Sequence, residues 1–374
     1  MSDLKQSLQA FHKIASSPKE QLKNYLAQDK KVVLCAPVYT PEEIVHAMGM
    51  IPFGTWGADV EIKEAKTYFP AFICSVMQSI LELGIRGEFE GASAIIIPSL
   101  CDSLKCLGEN WKSSVKNIPF IPMVYPQNRK ADFGKDFTKA GYERVIADLE
   151  KATGMSFDDA KLQESIAIYN EHNAFMRQLS DCLNDYPEIT AVDRNAIFQS
   201  AFYLEKSEHT ALVKTLIGEL EKTEKTANNK IKIVTTGILT DAADLLQILD
   251  ENDMQIVADN VASESRQYQV DAKPAATGLD SLAGKFADMD NCSVLFNVDK
   301  AIAQYTVDLV AKYQANGVVF VMTKFCDPEE FDYVMIKKAC EEKNIPILLV
   351  EIDRQMTNYE QVRTAVETFK EVLK

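Results

Sequence analysis

No glycine-rich loop of the form Gly-x-x-x-x-Gly-Lys-Ser/Thr occurs in this 374-residue chain. The backbone amides and lysine that cradle nucleotide phosphates are therefore missing, and ATP hydrolysis is not expected. Gly84-Ile85-Arg86-Gly87 is too weak a pattern to serve instead. Gly-x-Ser-x-Gly, His-Glu-x-x-His and a strand followed by Gly-x-Gly-x-x-Gly are absent too, which removes support for hydrolase, zinc-protease and dinucleotide-binding readings. Four histidines (His12, His46, His172, His209) leave little for imidazole acid-base work. Lysine and arginine form no stripe, and the formal charge of -15 argues against nucleic acid as a partner. Nowhere do about 18 apolar residues run together, and Met1 to Gln9 lack the charged-then-apolar order of a secretory leader. The expectation is a cytoplasmic protein without a membrane partner.

What is present describes a folded chain. Hydrophobic residues make up 47% and charged residues 25%, enough apolar surface for sizeable cores, and the length favours two or three domains. Eight cysteines (Cys35, Cys74, Cys101, Cys106, Cys182, Cys292, Cys326, Cys340) are many for a reducing compartment, which raises metal or redox chemistry as a reading. Cys35, Cys292 and Cys340 lie in or beside apolar runs and Cys182 in a helical region, so packing is the default for these four.

The chain is organised around a repeat. Ala94 to Asp102 (Ala-Ile-Ile-Ile-Pro-Ser-Leu-Cys-Asp) returns as Gly317 to Asp327 (Gly-Val-Val-Phe-Val-Met-Thr-Lys-Phe-Cys-Asp). Each copy continues into an amphipathic stretch, a Lys-Asn-Ile-Pro and a second apolar run. Short β-branched runs of this kind read as strands buried on both faces of a parallel sheet, with helices between them. Ligands gather at the carboxyl ends of such strands, which is where Cys101 and Cys326 fall. Each also falls at a helix start, where free amides and the helix dipole favour a thiolate. Thr40-Pro41-Glu42-Glu43 reads as a capping box opening a helix at Pro41. Pro70 opens another helix that carries Cys74 in its first turns.

The fold class predicted is α/β: two Rossmann-like parallel-sheet domains related by internal duplication, plus a helical insertion. The boundaries are 1–130 for the first domain, with Cys74 and Cys101, 131–228 for the helical part, and 229–374 for the second domain, with Cys326. His172 and His209 fall in the helical part without partners at ligand spacing and read as structural. Asp102 and Asp327 read as helix caps rather than catalytic carboxylates.

Cys74, Cys101 and Cys326 contain no Cys-x-x-Cys pair, so neither a zinc ribbon nor a thioredoxin-type dithiol fits. Three thiolates gathered from separate helix starts between two domains suit an iron-sulfur cluster, with one iron left open. The competing reading is three buried cysteines repeated only because the domains are.

At these residues the chain resembles the 2-hydroxyacyl-CoA dehydratase and benzoyl-CoA reductase superfamily. The likeness rests on Thr40-Pro41-Glu42-Glu43-Ile44 with Gly49 and Pro52, Cys74-Ser75 after an aromatic-proline stretch, Ile97-Pro98-Ser99-Leu100-Cys101-Asp102, and Lys324-Phe325-Cys326-Asp327-Pro328. Length and pattern are most similar to the beta-type subunit of an (R)-2-hydroxyacyl-CoA dehydratase, of the kind acting on 2-hydroxyisocaproyl-CoA or phenyllactyl-CoA in amino-acid-fermenting anaerobes. The resemblance implies a heterodimer with an alpha-type subunit, a 4Fe-4S cluster in each subunit, and a separate ATP-dependent iron-sulfur activator that delivers one electron. It implies loss of water from a 2-hydroxyacyl-CoA to an (E)-2-enoyl-CoA through a ketyl radical, with this chain as the electron relay. Carried over by position, the cluster ligands are Cys74, Cys101 and Cys326. Cys106, about one and a half helical turns beyond Cys101, stands second, as a substitute or fourth ligand. Two alternatives remain: a benzoyl-CoA reductase-type subunit, and a clusterless two-domain protein closing on a small molecule.

Overall fold

A computed structural model describes residues 3–374. Its frame is two four-stranded parallel sheets. The first comprises β1 (Val32–Cys35), β2 (Ile51–Gly54), β3 (Ala94–Pro98) and β4 (Phe120–Met123), in the order β2-β1-β3-β4. The second comprises β5 (Ile231–Gly237), β6 (Met254–Val261), β7 (Gly317–Thr323) and β8 (Ile347–Ile352), in the order β6-β5-β7-β8. Both orders put the first strand second, so each sheet reverses direction between its first and third strands, where loops diverge and leave a crevice.

The burial of each strand explains its composition. Every residue of β3 and of β7 is buried, which a run of Ile, Val and Phe tolerates and an alternating run would not. The edge strands β4 and β8 alternate instead, and Pro122 occupies an exposed edge position where its missing N–H costs no ladder bond. The repeat is visible in the register: Ile95 pairs with Phe120 through Pro98 with Met123, and Val318 with Ile347 through Thr323 with Ile352.

The second sheet is covered on both faces. Leu245, Leu249, Val366 and Phe369 pack on one side; Val307, Val310, Ile336 and Cys340 pack on the other. Between β4 and β5 the chain forms the helices Asp132–Thr153, Asp159–Cys182, Ala191–Ser200 and Lys206–Lys222. Ahead of β1 the chain forms two helices, Asp3–Ala15 and Pro18–Ala27, because Pro18 cannot supply an interior helical N–H and starts a new helix instead.

Three contacts join these parts. Gly54 at the end of β2 donates its N–H to the carbonyl of Phe202 at 2.8 Å, and a Cβ there would lie 2.7 Å from Phe202 Cβ. Glycine is what allows that approach. The helix Gly278–Asp288 packs on the core of the first sheet, with Phe286 stacked on Tyr125 at 4.0 Å between ring centres. Arg354, just after β8, donates its N–H to Ser75 Oγ (3.0 Å) and its guanidinium to Asp241 (2.6 Å), Asp59 (3.2 Å) and the Trp56 carbonyl (3.2 Å). One buried side chain thus fastens the two sheets together beside Cys74.

Candidate functional site

Cys74, Cys101 and Cys326 each occupy the cap position of a helix: Ser75–Ile85, Asp102–Ser114 and Asp327–Glu342. The Cys74 helix starts later than Pro70 implied, so Cys74 precedes the first turn rather than lying in it. Each sulfur faces the free amides of its own first turn: Val76 and Met77 for Cys74, Ser103 and Leu104 for Cys101, and Glu329 for Cys326. Aspartates were expected to cap these helices. They do not: Asp102 is exposed and binds Lys105 at 3.1 Å, and neither helix has a side-chain cap bond.

The three thiols share one neighbourhood. Charge on Cys101 acts on Cys74, and charge on both acts on Cys326. The expectation that helix starts would make them thiolates is reversed in the free protein, since removal from water outweighs the amides. Burial pushes Cys74 up to about 12 and raises Cys101; it raises Cys326 well above the ordinary thiol value, helped by the nearby Glu329 carboxyl.

Among the described residues no three His, Cys, Asp or Glu side chains meet closely enough to hold one metal ion. A single ion needs its sulfurs at about 2.3 Å from a common point. A cluster needs less convergence, because each cysteine binds a different iron, and amides aimed at sulfur are among the groups that set its potential. The donor set here, three sulfurs each beside the free amides of a helix start, fits the second requirement and not the first.

Phe72, two residues before Cys74, is 72% exposed, and Phe325, directly before Cys326, adopts a left-handed backbone with φ 61°. Cys106 lies exposed on its helix. Cys35 and Cys340 are core residues as expected, whereas Cys292 is buried with a polar neighbour: Arg266 Nη1 donates to its Sγ at 3.2 Å.

A second polar centre was not anticipated. Thr40 Oγ1 donates to the Ala36 carbonyl at 2.7 Å and the helix starts at Glu42, so the capping box does not form. Glu43 pairs instead with Lys285 at 2.7 Å, and Glu42 with Lys206 at 3.1 Å. These pairs line a polar cavity of about 60 Å³, with Tyr39, Tyr125 and His172 on its walls. His172 is not solitary: its Nε2 lies 2.9 Å from His209 Nδ1, and His209 Nε2 lies 3.1 Å from Ser200 Oγ. Burial lowers both imidazoles, His209 to about 3, so the pair is neutral. Partners so far apart in sequence leave no local signal beyond the unusual Glu42-Glu43 doublet.

Known proteins resemble the chain over its full length. The model of the family described as 2-hydroxyglutaryl-CoA dehydratase, D-component, matches residues 37–373. The chain is 45% identical to the (R)-phenyllactyl-CoA dehydratase beta subunit of Clostridium sporogenes, covering 100% of both chains. It is 39% identical to the lactoyl-CoA dehydratase subunit beta of Anaerotignum propionicum, again over 100% of both. With the beta subunit of (R)-2-hydroxyglutaryl-CoA dehydratase from Acidaminococcus fermentans it shares 34% over 98% of each. Matches of this extent make the chain a member of the 2-hydroxyglutaryl-CoA dehydratase D-component family.

Proposed function

We propose that this chain is the iron-sulfur, beta-type subunit of a heterodimeric (R)-2-hydroxyacyl-CoA dehydratase, a hydro-lyase forming an (E)-2-enoyl-CoA in amino-acid fermentation in the cytoplasm. The observation that carries the reading is the convergence of Cys74, Cys101 and Cys326, remote in sequence, as caps of three helices in one neighbourhood. These thiols would hold a 4Fe-4S cluster, with Cys106 as second choice. Bound there, the cluster would supply one-electron transfer between an ATP-dependent activator and the alpha-type partner, where a ketyl radical of the substrate thioester loses its 2-hydroxyl group.

The chain's own part is binding and shielding. The first-turn amides would orient the sulfurs, and the burial of Cys74 in the first core would keep water from that side. The matching strand orders support an origin by internal duplication, with residues 131–228 as a helical insertion between Rossmann-like domains at 1–130 and 229–374. The partner is inferred from the relatives' designation as beta subunits.

Iron and acid-labile sulfide per chain, measured on anaerobically prepared protein, test the reading. We expect about four of each, lost in Cys74→Ala, Cys101→Ala and Cys326→Ala and retained in Cys106→Ala. Wild-type protein without iron, under conditions that preserve clusters, sinks it.

A further inference from the structure

Each sheet has two edge strands: β2 and β4 in the first, β6 and β8 in the second. Three of these edges are covered or blunted. Gly54 of β2 is bonded to Phe202, and β6 lies against the helical segment, where Gln255 Nε2 donates to the Leu183 carbonyl at 3.3 Å. β4 carries Pro122, and the helix Asp132–Thr153 packs along it.

β8 has neither device. In its ladder with β7, the carbonyls of Pro346 and Ile352 accept from Val318 and Lys324 at 2.9 Å each. The even-numbered positions therefore face β7, and Ile347, Leu349 and Glu351 turn their N–H and C=O groups to the open side. Among the described residues no hydrogen bond reaches those groups. Ser99 donates to Met123 just as Lys324 donates to Ile352, so Pro122 stands where Glu351 stands. The outward N–H that proline removes from the first sheet is present and unused in the second. A row of unpaired main-chain groups is a template for another strand.

The helix Glu360–Leu373 covers one face of this strand and buries Val362, Val366 and Phe369. One flank of the helix is charged and satisfied, since Arg363 binds Glu251 and Lys370 binds Asp253. The flank beside β8 shows Gln361, Ala365, Thr368 and Val372, none of them charged. They are spaced four, three and four residues apart, the spacing of a helix-helix seam. A groove runs between this flank and the strand.

We propose that β8 is a dimerisation edge: two copies of this chain pair their β8 strands antiparallel across a two-fold axis at Leu349, joining two four-stranded sheets into one. This pairing is independent of any cluster. With Leu349 opposite Leu349, Ile347 of each copy meets Glu351 of the other, and every open N–H and C=O of the strand gains a partner. A slip of two residues would leave one of the three positions unpaired. Like charges do not meet, because Glu351 faces an isoleucine. Leu348 falls opposite Val350, which keeps the helix-covered face apolar.

The helices agree with this register. Two-fold symmetry lays them antiparallel, with Ala365 of one copy beside Thr368 of the other and Gln361 beside Val372. Within one chain, Val350 and Ile352 share the groove with Gln361 and Ala365, and Leu348 shares it with Thr368 and Val372. Leu349 is thus level with the middle of the seam, so strand and helix place the axis at the same point. The edge is its own complement, which is what a two-fold interface requires.

Light scattering on the size-fractionated full chain counts copies per particle, and we expect two. Glu351→Pro imports the edge of the first sheet: it removes one outward N–H without touching the ladder to β7, and should give one copy per particle with the wild-type circular dichroism. Leu349→Lys sets two like charges on the axis, gives the same single copy, and carries the test if Glu351→Pro does not fold. Mild oxidation of Leu349→Cys should link two copies through a bond absent from wild type treated alike, since directly opposed hydrogen-bonded residues have Cα atoms about 5.5 Å apart, within disulfide range. One copy per particle in wild type overturns the proposal, whether the edge is bare or covered by a different subunit. A two-copy particle in either folded variant overturns it too, as does the absence of the Leu349→Cys link.

Discussion

The two sheets share strand order, burial and cysteine placement, yet they hold their cysteine loops by different means. In the first, the loop from β3 to Cys101 rests on an apolar pair, Pro98 and Leu104, and Leu100 keeps an ordinary negative φ. In the second, the loop from β7 to Cys326 rests on a buried hydrogen bond from Thr323 to Glu329, and Phe325 is twisted to φ 61°. Left-handed backbone costs a non-glycine residue roughly 1–2 kcal/mol, so the second loop carries strain that the first lacks. The frame tolerates either solution, and the costly one lies where a large aromatic ring is left 37% exposed beside the candidate site. Costs concentrated in one copy of a repeated element point to function there rather than to folding.

Breaking the joint between the sheets gives the largest effect. Arg354→Ala leaves Asp241 partly buried and unpaired, and we expect a loss of about 3–5 kcal/mol in urea unfolding. The two sheets should then unfold as separate transitions; a single transition at wild-type stability would contradict the fastening role.

Acid separates the helices between β4 and β5 from both sheets. His172 and His209 are neutral and buried, with folded values below the unfolded one, so the unfolded chain binds their protons first. Stability from the pair is complete above about pH 6.5 and falls as pH drops through the window down to the folded values. For His209, at about 3, the loss is about 2 kcal/mol between pH 6.5 and 5. His209→Gln should flatten this part of the profile of urea midpoint against pH, and an equally steep profile would assign the acid loss elsewhere.

The smallest effect sharpens the comparison of the loops. Phe325→Gly should stabilise the chain by up to ~1 kcal/mol, since glycine relieves the left-handed strain while adding unfolded-state entropy. Leu100→Gly should destabilise it. Thermal melts that moved in the same direction would remove the asymmetry.

Much of this frame is legible in the sequence because it rests on local pattern. Ile95-Ile96-Ile97 and Val318-Val319-Phe320 are too short and too apolar for anything but buried strands, and the helix starts at Asp102 and Asp327 follow from where those strands stop. Placing Cys101 and Cys326 at helix caps therefore needed only the repeat. The thiols' protonation is not legible in the sequence because it depends on enclosure, and Cys74 and Cys101 are enclosed by a core drawn from segments far apart in the chain. The Glu43 capping box failed for a related reason: a local donor lost to Lys285, more than two hundred positions away. Arg354 gave no signal at all, since nothing in Asp353-Arg354-Gln355 distinguishes a buried arginine from a surface one.

The cap cysteines come from both ends of the chain, and that has a consequence for synthesis. At roughly 5–20 residues per second, Cys326 leaves the ribosome on the order of tens of seconds after Cys101. Until then the nascent chain offers two sulfurs, and Arg354, which fixes the second sheet against Ser75, has not yet been made. Under the cluster reading, the third sulfur joins the other two only after β7 has been made, so loading would report that both sheets are present.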